Sequence, residues 1–350
     1  MDTKSVRQTI DKQREDLAEA ILTNLYERLP EHQSGAEDRR AKSLRDIRYH
    51  LSYLSQAIGA SSPALFTDYA SWAKVLFIGL GFSPEILSQT IDSTRQVFRE
   101  TLSEPGVAIA DEYLAAAQEK LSKSPETLPS FVDQAGPLAG LTQQYLELVL
   151  DGKRHLASQL ILNAVESGVS VKRVYLDVLQ CAQREIGRLW QTNQISVAEE
   201  HYCTAVTQLI ISQLYPRIFA TERKGRRLVA TCVAGELHEL GMRMVADFFE
   251  MEGWDTFYLG ANTPTSNVVQ SVVKHEADVL GVSATIPFHV SDVADLIAAI
   301  RAHDASRDVK ILVGGYPFNI DPDLWQQVGA DIYAQDAEQA VTAANRIVAG

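Results

Sequence analysis

Apolar residues recur every three or four positions through the first third of the chain. Leu17, Ile21 and Leu25 have this spacing within residues 11–26, which is typical of one buried helix face. Residues 1–121 are therefore predicted to form a helical domain, with further amphipathic stretches at 43–57, 63–80 and 84–118. Residues 122–137 contain prolines and small polar residues that cannot continue a helix, so we predict a linker there.

A second helical block follows over residues 138–222. Its apolar spacing separates four stretches, at 138–151, 153–167, 170–190 and 196–215. Since short loops join them, we expect antiparallel neighbours and a four-helix bundle.

From residue 223 to residue 350 the pattern changes to short apolar runs that alternate with helical stretches. The predicted strands are 228–233, 255–260, 277–283, 309–314 and 331–335. The predicted helices between and after them are at about 239–251, 264–274, 290–303, 322–328 and 337–348. Alternation of this kind predicts a parallel sheet covered by helices, in a flavodoxin-like (Rossmann-like) arrangement. The predicted fold class is thus α/β preceded by all-α domains.

Charge and composition narrow the functional classes. The 350 residues carry a net charge of −13 without a basic run, which argues against direct nucleic-acid binding. The sequence has no signal-like start and no apolar run long enough to span a bilayer, so we expect a cytoplasmic protein. The three cysteines fit neither a disulfide framework nor a zinc site.

Candidate chemistry lies directly after the first predicted strand, as Glu236-x-His238-x-x-Gly241. A carboxylate can hydrogen-bond one imidazole nitrogen and leave the other free as a metal ligand. The glycine allows a bulky ligand to approach the backbone. On its own, the motif also fits a helix start with a surface histidine.

The next strands add a second set of residues. Ser283 and Thr285 end the third strand region, and Gly314-Gly315 end the fourth. The whole constellation resembles the cobalamin-binding domain of methionine synthase, methylmalonyl-CoA mutase and light-sensing B12 proteins. The resemblance implies that His238 is the lower cobalt ligand, that Glu236 supports it, and that the nucleotide tail passes the serine and the glycine pair. Glu236 replaces the usual Asp, and Thr285 a common leucine.

A further motif lies in the helical block, where nine residues separate Trp190 from Glu200-His201. This spacing resembles the signature of light-sensing proteins that bind adenosylcobalamin under a helical cap. The resemblance implies that Trp190, Glu200 and His201 face the upper axial ligand. Gln191 stands where the best-known members have a cobalt-binding histidine, so the photoproduct is expected to differ. The alternative is a core tryptophan beside a solvated Glu-His pair.

An aromatic and polar helix face stands out in the N-terminal domain. Asp46, Arg48, Tyr49, His50 and Tyr53 lie together on it at helical spacing. The domain order resembles the photocobilins, which hold both B12 and biliverdin, and this implies a noncovalent biliverdin pocket at these residues. The alternative is an aromatic-rich helix core that binds no ligand.

These observations favour a light-sensing signalling protein over an enzyme. It would bind adenosylcobalamin, act as a homo-oligomer that rearranges on illumination, and engage a downstream signalling protein. The alternative is a corrinoid methyl carrier that serves a methyltransferase. A B12-dependent mutase subunit is disfavoured, because no substrate barrel is predicted in this chain.

Overall fold

The computed structural model describes residues 2–30, 37–219 and 221–349. The chain divides into two compact units. One unit comprises Met1–Glu126, Ile286–Ala294 and Tyr316–Val328, and the other comprises Thr127–Thr285, Asp295–Gly315 and Gly329–Gly350. Residues 31–36 of the predicted N-terminal domain, together with residues 220 and 350 of the later domains, lie outside the described ranges.

The N-terminal helices are α1 Thr3–Lys12, α2 Arg14–Arg28, α3 Glu37–Gly59, α4 Pro63–Gly79, α5 Glu85–Thr101 and α6 Glu104–Lys123. The bundle helices are α7 Ala139–Leu150, α8 Arg154–Glu166, α9 Val171–Arg173, α10 Gln180–Gln191 and α11 Val197–Leu214. The strands are β1 Arg227–Cys232, β2 Asp255–Gly260, β3 Val279–Ser283, β4 Lys310–Gly314 and β5 Ile332–Tyr333. The remaining helices are α12 Leu240–Met251, α13 Thr265–Lys274, α14 Val290–Ala302, α15 Tyr316–Ile320, α16 Leu324–Gln327 and α17 Ala337–Ala349.

The first unit differs from the sequence prediction in two places. The stretch 84–118 is broken between α5 and α6, where Leu102 and Ser103 have an extended backbone and Pro105 stands in the first turn of α6, a position that tolerates proline. The expected helix at 322–328 is instead the short α16. In addition, the segments 286–294 and 316–328 pack with the N-terminal helices: Phe288 contacts the ring of Tyr53, and Tyr316 donates to Asp68.

The predicted linker is partly helical. Helix α6 extends to Lys123, and Val132–Leu138 forms a 3-10 helix. The backbone N–H of Phe131 donates to Glu185 Oε2 at 2.9 Å, so a contact with the bundle orders this segment. Such a long-range contact leaves no local signal in the sequence.

In the second unit, the bundle helices correspond to the four predicted stretches. The third of them is interrupted by a π-helical segment, Val174–Leu179, between α9 and α10. Tyr175 on this segment is fully buried, and its hydroxyl donates to Asp247 on α12 at 2.8 Å.

The strands of the second unit form one parallel sheet in the order β2-β1-β3-β4-β5. This is the flavodoxin-like order, and the predicted fold class is confirmed. Cys232, Ser283 and Gly314 are in register at the carboxyl ends of β1, β3 and β4. The segments that follow these three residues therefore leave the same edge of the sheet, where open α/β sheets bind ligands.

No helix in the described part of the chain is long and apolar enough to cross a membrane.

Candidate functional site

The segment after β1 is held in a tight turn against the segment after β2. Gly235 has a φ of 83°, in the left-handed region that favours glycine. Its N–H donates to Asn262 Oδ1 at 2.8 Å, and the Asn262 N–H donates back to the Glu236 carbonyl at 2.9 Å. This reciprocal pair fixes the backbone at Glu236.

The Glu236 side chain is fully buried and joins two loops. Its Oε1 accepts hydrogen bonds from the backbone N–H of His238 at 2.9 Å and from His238 Nδ1 at 2.6 Å. Its Oε2 accepts from the Thr285 N–H at 2.7 Å. Burial alone would raise the pKa of Glu236, but these hydrogen bonds outweigh it and lower the pKa to about 2. The carboxylate is therefore ionised and aimed at the imidazole.

His238 presents the other side of its ring outward. The hydrogen bond to Glu236 raises the pKa of His238 against the opposing effect of burial, and the charge of Glu200 adds to the increase. The side chain is 57% exposed, and Nε2 has no hydrogen-bond partner among the described residues. Carboxylate-supported histidines with one open nitrogen are the usual arrangement of a metal ligand.

The segments after β3 and β4 approach each other closely. A Cβ on Gly315 would lie 1.9 Å from the Ala284 carbonyl oxygen, and φ at this residue is 103°. A Cβ on Gly314 would lie 3.1 Å from the Ala334 carbonyl oxygen. Ser283 is buried at the end of β3. At Gly315, only glycine permits this close approach of the two loops.

Gly241, unlike Gly314 and Gly315, is not in close contact with another part of the chain that the structure describes. A Cβ built there would meet no atom within 4 Å, so the backbone of the first turn of α12 borders open space. The sequence prediction that a bulky ligand could approach the backbone here is compatible with this geometry.

Trp190, Glu200 and His201, which were predicted to face the upper ligand, lie where α10 ends and α11 begins. Trp190 is partly buried in the last turn of α10, which stops at a left-handed Asn193 with φ of 57°. Helix α11 starts with a capping box formed by Ser196 and Glu199. This start places Glu200 in the first turn and His201 directly after it.

Of these three residues, Glu200 affects the segment that follows β1, through its charge. Its Oε2 lies 2.5 Å from His201 Nδ1, and its Oε1 accepts from the Thr204 hydroxyl at 3.0 Å. The charge of Glu200 contributes to the raised pKa of His238. The structure thus brings the cap carboxylate and the candidate ligand into one electrostatic neighbourhood, while the His201 side chain is 75% exposed. Gln191, next to Trp190, is buried.

His50 and Tyr53, two of the residues predicted to bind biliverdin, pack closely against Tyr69. His50 Nδ1 lies 2.7 Å from the Tyr69 hydroxyl, and the Tyr53 ring stacks on Tyr69 with centroids 3.6 Å apart. The cavity beside His50 and Tyr69 has a volume of about 10 Å³, enough for one water. A drug-sized ligand occupies a pocket of about 300–1,000 Å³. The cavity at His50 and Tyr69 is therefore too small for a bilin as it stands, and biliverdin binding at this face stays a prediction.

The other members of that face have different environments. Arg48 pairs with Glu15 at 2.6 Å, and Asp46 lies 3.8 Å from Arg45. Burial raises the pKa of Asp46. Tyr49 is exposed. The aromatic core that competed with the pocket in the sequence analysis accounts for His50, Tyr53 and Tyr69.

Two residues outside the motif stabilise the segment after β1, and neither was predicted from the sequence. Asn262 secures the turn at Gly235, and Glu239 lies between α11 and β2. The one available signal was that Glu239 directly follows His238, but its partners are 19 to 31 positions away.

Two family models and several known proteins are similar to parts of this chain. A model described as a B12 binding domain matches residues 226–345, and a second of the same description matches residues 141–215. B12-binding domains are present. Cobalamin binding is therefore supported, and both the sheet domain and the bundle that carries Trp190 contribute to the matches.

Among curated relatives, a corrinoid protein of Desulfitobacterium hafniense is 23% identical over 217 residues, which cover 60% of this chain and 99% of that protein. Dimethylamine corrinoid protein 3 of Methanosarcina mazei is 27% identical over 140 residues, covering 40% of this chain and 81% of that protein. The structure of the Methanosarcina barkeri monomethylamine corrinoid protein superposes with a TM-score of 0.53 at 21% identity, over 60% of this chain and 99% of that one. This last similarity shows the shared fold.

Proposed function

We propose that this protein binds a corrinoid in which His238 is the lower axial ligand of cobalt. The observation that carries the proposal is the pairing of His238 Nδ1 with the buried Glu236 carboxylate, which leaves Nε2 directed away from its support. His238 Nε2 is a suitable donor for cobalt, since a neutral imidazole with a fixed tautomer is a good ligand for a transition metal. When bound, the corrinoid supplies a cobalt–carbon bond that is made and broken by group transfer or by light.

The residues around His238 have separate tasks in this proposal. Glu236 holds the Nδ1 proton and orients the ring, and the Thr285 N–H keeps Glu236 in place. Ser283, Gly314 and Gly315 lie at the ends of β3 and β4, where the nucleotide tail of the corrinoid would be held. Gly241 leaves space against α12.

As its biological role, we propose a corrinoid carrier that presents a methyl group to a methyltransferase partner and is not itself an enzyme. Its support is that the relatives reported above are corrinoid proteins, two of them named for methylamines. A carrier has to receive and release a small group, so it should bind methylcobalamin at least as well as adenosylcobalamin.

A second candidate is favoured by a specific observation, the Trp190, Glu200 and His201 cap. An adenosyl group needs an aromatic wall and polar groups for its ribose hydroxyls, whereas a methyl group needs neither. In this alternative the protein is an adenosylcobalamin-dependent light sensor that changes its oligomeric state and engages a downstream signalling protein. The matched family models begin at residue 141, so the N-terminal helices lie outside them and are available for such a signalling role.

One experiment tests the corrinoid proposal and separates the two roles. The apo protein is titrated in darkness with adenosylcobalamin and methylcobalamin, then illuminated with green light and passed through a size-exclusion column. The carrier role predicts comparable affinities and an unchanged elution volume. The sensor role predicts tighter binding of adenosylcobalamin and a shifted elution volume after light. If neither compound binds, the corrinoid proposal itself is wrong.

Biliverdin is not part of the proposal. Of the residues predicted to hold it, His50 and Tyr53 pack around Tyr69 beside a cavity with room for one water, and the biliverdin site stays a prediction.

A further inference from the structure

Glu239 occupies a position that the corrinoid motif does not explain. It directly follows His238 and precedes α12, so its backbone is the joint between the candidate ligand and the helix. Its side chain does not cap α12. The carboxylate instead reaches away from α12, towards the end of β2 and towards α11.

Three donors converge on the Glu239 carboxylate. Gln208 Nε2 on α11 donates to Oε1 at 3.0 Å. The Ala261 N–H donates to Oε2 at 2.9 Å, and the Tyr258 hydroxyl lies 3.1 Å from the same oxygen. Burial raises the pKa of Tyr258, which keeps the hydroxyl protonated as a donor. Each carboxylate oxygen is therefore committed to a different element.

The backbone around β2 is shaped to admit this carboxylate. Gly260 has a φ of 84°, and a Cβ built there would lie 3.1 Å from Glu239 Oε2. A larger residue at this position would push against the carboxylate. The absence of a side chain at Gly260 thus leaves room for the Glu239 carboxylate at the end of β2.

We propose that Glu239 is a positioning residue that ties the cap helix α11 to the His238 segment and sets the placement of the imidazole. The inference deepens the proposed function and rests on it, since it concerns the same ligand. A shift of α11 pulls on Glu239 through Gln208. His238 is the adjacent residue, so the shift reaches the candidate cobalt ligand through one peptide bond. The position of α11 and the binding of His238 to cobalt are thereby coupled.

A second link between the same helices provides a matched control. Arg243 on α12 donates to the Ser212 hydroxyl on α11 at 2.7 Å. Ser212 and Arg243 lie one helical turn beyond Gln208 and Glu239, and Arg243 is not adjacent to His238 as Glu239 is. Loss of this link should loosen the helix pair without disturbing the His238 segment.

The test compares Gln208→Leu and Glu239→Gln with Ser212→Ala. The proteins are reconstituted with methylcobalamin in darkness, and the spectrum gives the fraction that carries the histidine ligand at saturation. We expect Glu239→Gln and Gln208→Leu to lower this fraction and to weaken binding roughly tenfold, because a charge-assisted hydrogen bond is lost. Ser212→Ala should keep both values. A purely structural role would lower the Tm of each variant and leave the histidine-ligated fraction unchanged, which would overturn the inference.

Hydrogen–deuterium exchange on the apo proteins gives a readout that needs no cofactor. Faster exchange over residues 233–240 in Gln208→Leu, but not in Ser212→Ala, supports the link, and equal exchange in the two variants overturns it. If the wild type fails to bind methylcobalamin, the corrinoid proposal fails while the exchange experiment still decides whether Gln208 and Glu239 brace this segment.

Discussion

Glu236 Oε1 and His238 Nδ1 lie 2.6 Å apart, while the other oxygen of the same carboxylate accepts the Thr285 N–H at 2.7 Å. One fully buried side chain therefore connects the loop after β1 to the loop after β3. Glutamate is one methylene longer than aspartate, and here that length still allows a hydrogen bond to the backbone N–H two residues ahead. The replacement noted in the sequence motif thus preserves the support of the imidazole.

The first prediction concerns this pair. His238→Ala should remove the histidine-ligated spectrum of reconstituted methylcobalamin. Glu236→Gln should lower cobalamin affinity roughly 10- to 100-fold, the usual effect of losing a metal ligand's hydrogen-bond partner. Spectral titration in darkness measures both. Glu276→Gln, which changes an exposed carboxylate paired with Arg227, is the control and should match the wild type. An unaltered spectrum in His238→Ala would refute the assignment of the ligand.

The second prediction contrasts two glycines. Gly315→Ala should destabilise the protein strongly, because its Cβ would overlap the Ala284 carbonyl at 1.9 Å and φ is 103°. Gly241→Ala should leave the apo protein as stable or up to about 1 kcal/mol more stable, since alanine favours the helix.

Cobalamin titration separates the same two positions by function. Gly241→Ala should weaken binding despite its intact fold, if a ligand packs against α12. Thermal denaturation of the apo proteins gives the stability comparison. Full cobalamin affinity in Gly241→Ala would argue that nothing approaches the backbone there.

Much of the fold was predictable because local patterns and burial coincide. Residues 228–232 of β1 are all buried, so the strand is a continuous apolar run in the sequence. The break before α6 was missed because the apolar spacing of α5 and α6 nearly continues across Ser103. The π-helical turn around Tyr175 and the packing of Phe288 on Tyr53 depend on contacts over long separations, which periodicity does not encode.

The candidate site was likewise predictable where its residues lie close together in the sequence, and not where they contact distant elements. Glu236, His238 and Gly241 form a local motif, and their strand-end position follows from the βα alternation. Glu239 and Asn262 could not be assigned roles, because their partners come from other elements. At His50 the sequence pattern was equally compatible with a pocket and a core, and only the position of Tyr69 distinguishes them.

The third prediction tests that core. Tyr69→Phe removes the hydroxyl that pairs with His50 Nδ1 at 2.7 Å, in a site where burial lowers the pKa of His50 to about 4. The neutral imidazole then loses its partner, and the protein should lose about 1–3 kcal/mol of stability. Urea denaturation measures the loss. The exposed Tyr49 provides a matched change, Tyr49→Phe, which should cost almost nothing. Equal stability of the two variants would contradict the core assignment.

The fourth prediction concerns the cap. If Trp190 faces the upper ligand, Trp190→Ala should reduce the affinity for adenosylcobalamin more than that for methylcobalamin, because only the adenosyl group offers a surface for stacking. The ratio of the two dissociation constants, measured in darkness, is the decisive quantity. Trp325→Ala, on α16 outside the bundle, should leave the ratio unaltered. Proportional weakening of both compounds by Trp190→Ala would point to a role in folding of the bundle.

The last prediction uses the buried Asp247. Burial raises the pKa of this carboxyl to about 6, although the Tyr175 hydroxyl donates to it and Arg243 favours its charged form. In the unfolded chain the group titrates near 3.8, so between pH 4 and 6 the folded protein retains a proton that the unfolded chain releases. Stability contributed by the neutral acid is therefore present below about pH 4 and falls as the pH rises to about 6, by up to about 3 kcal/mol.

Asp247→Asn removes this dependence, because an amide cannot ionise and its oxygen still accepts from Tyr175. The variant should be more stable than the wild type at pH 8, and the advantage should vanish near pH 4. Urea denaturation across pH 4–8 measures the difference. Asp304→Asn, at a side chain that is 90% exposed, should show no such trend. A constant difference between Asp247→Asn and the wild type over this range would mean that Asp247 is already charged at low pH, and that Arg243 and Tyr175 offset its burial.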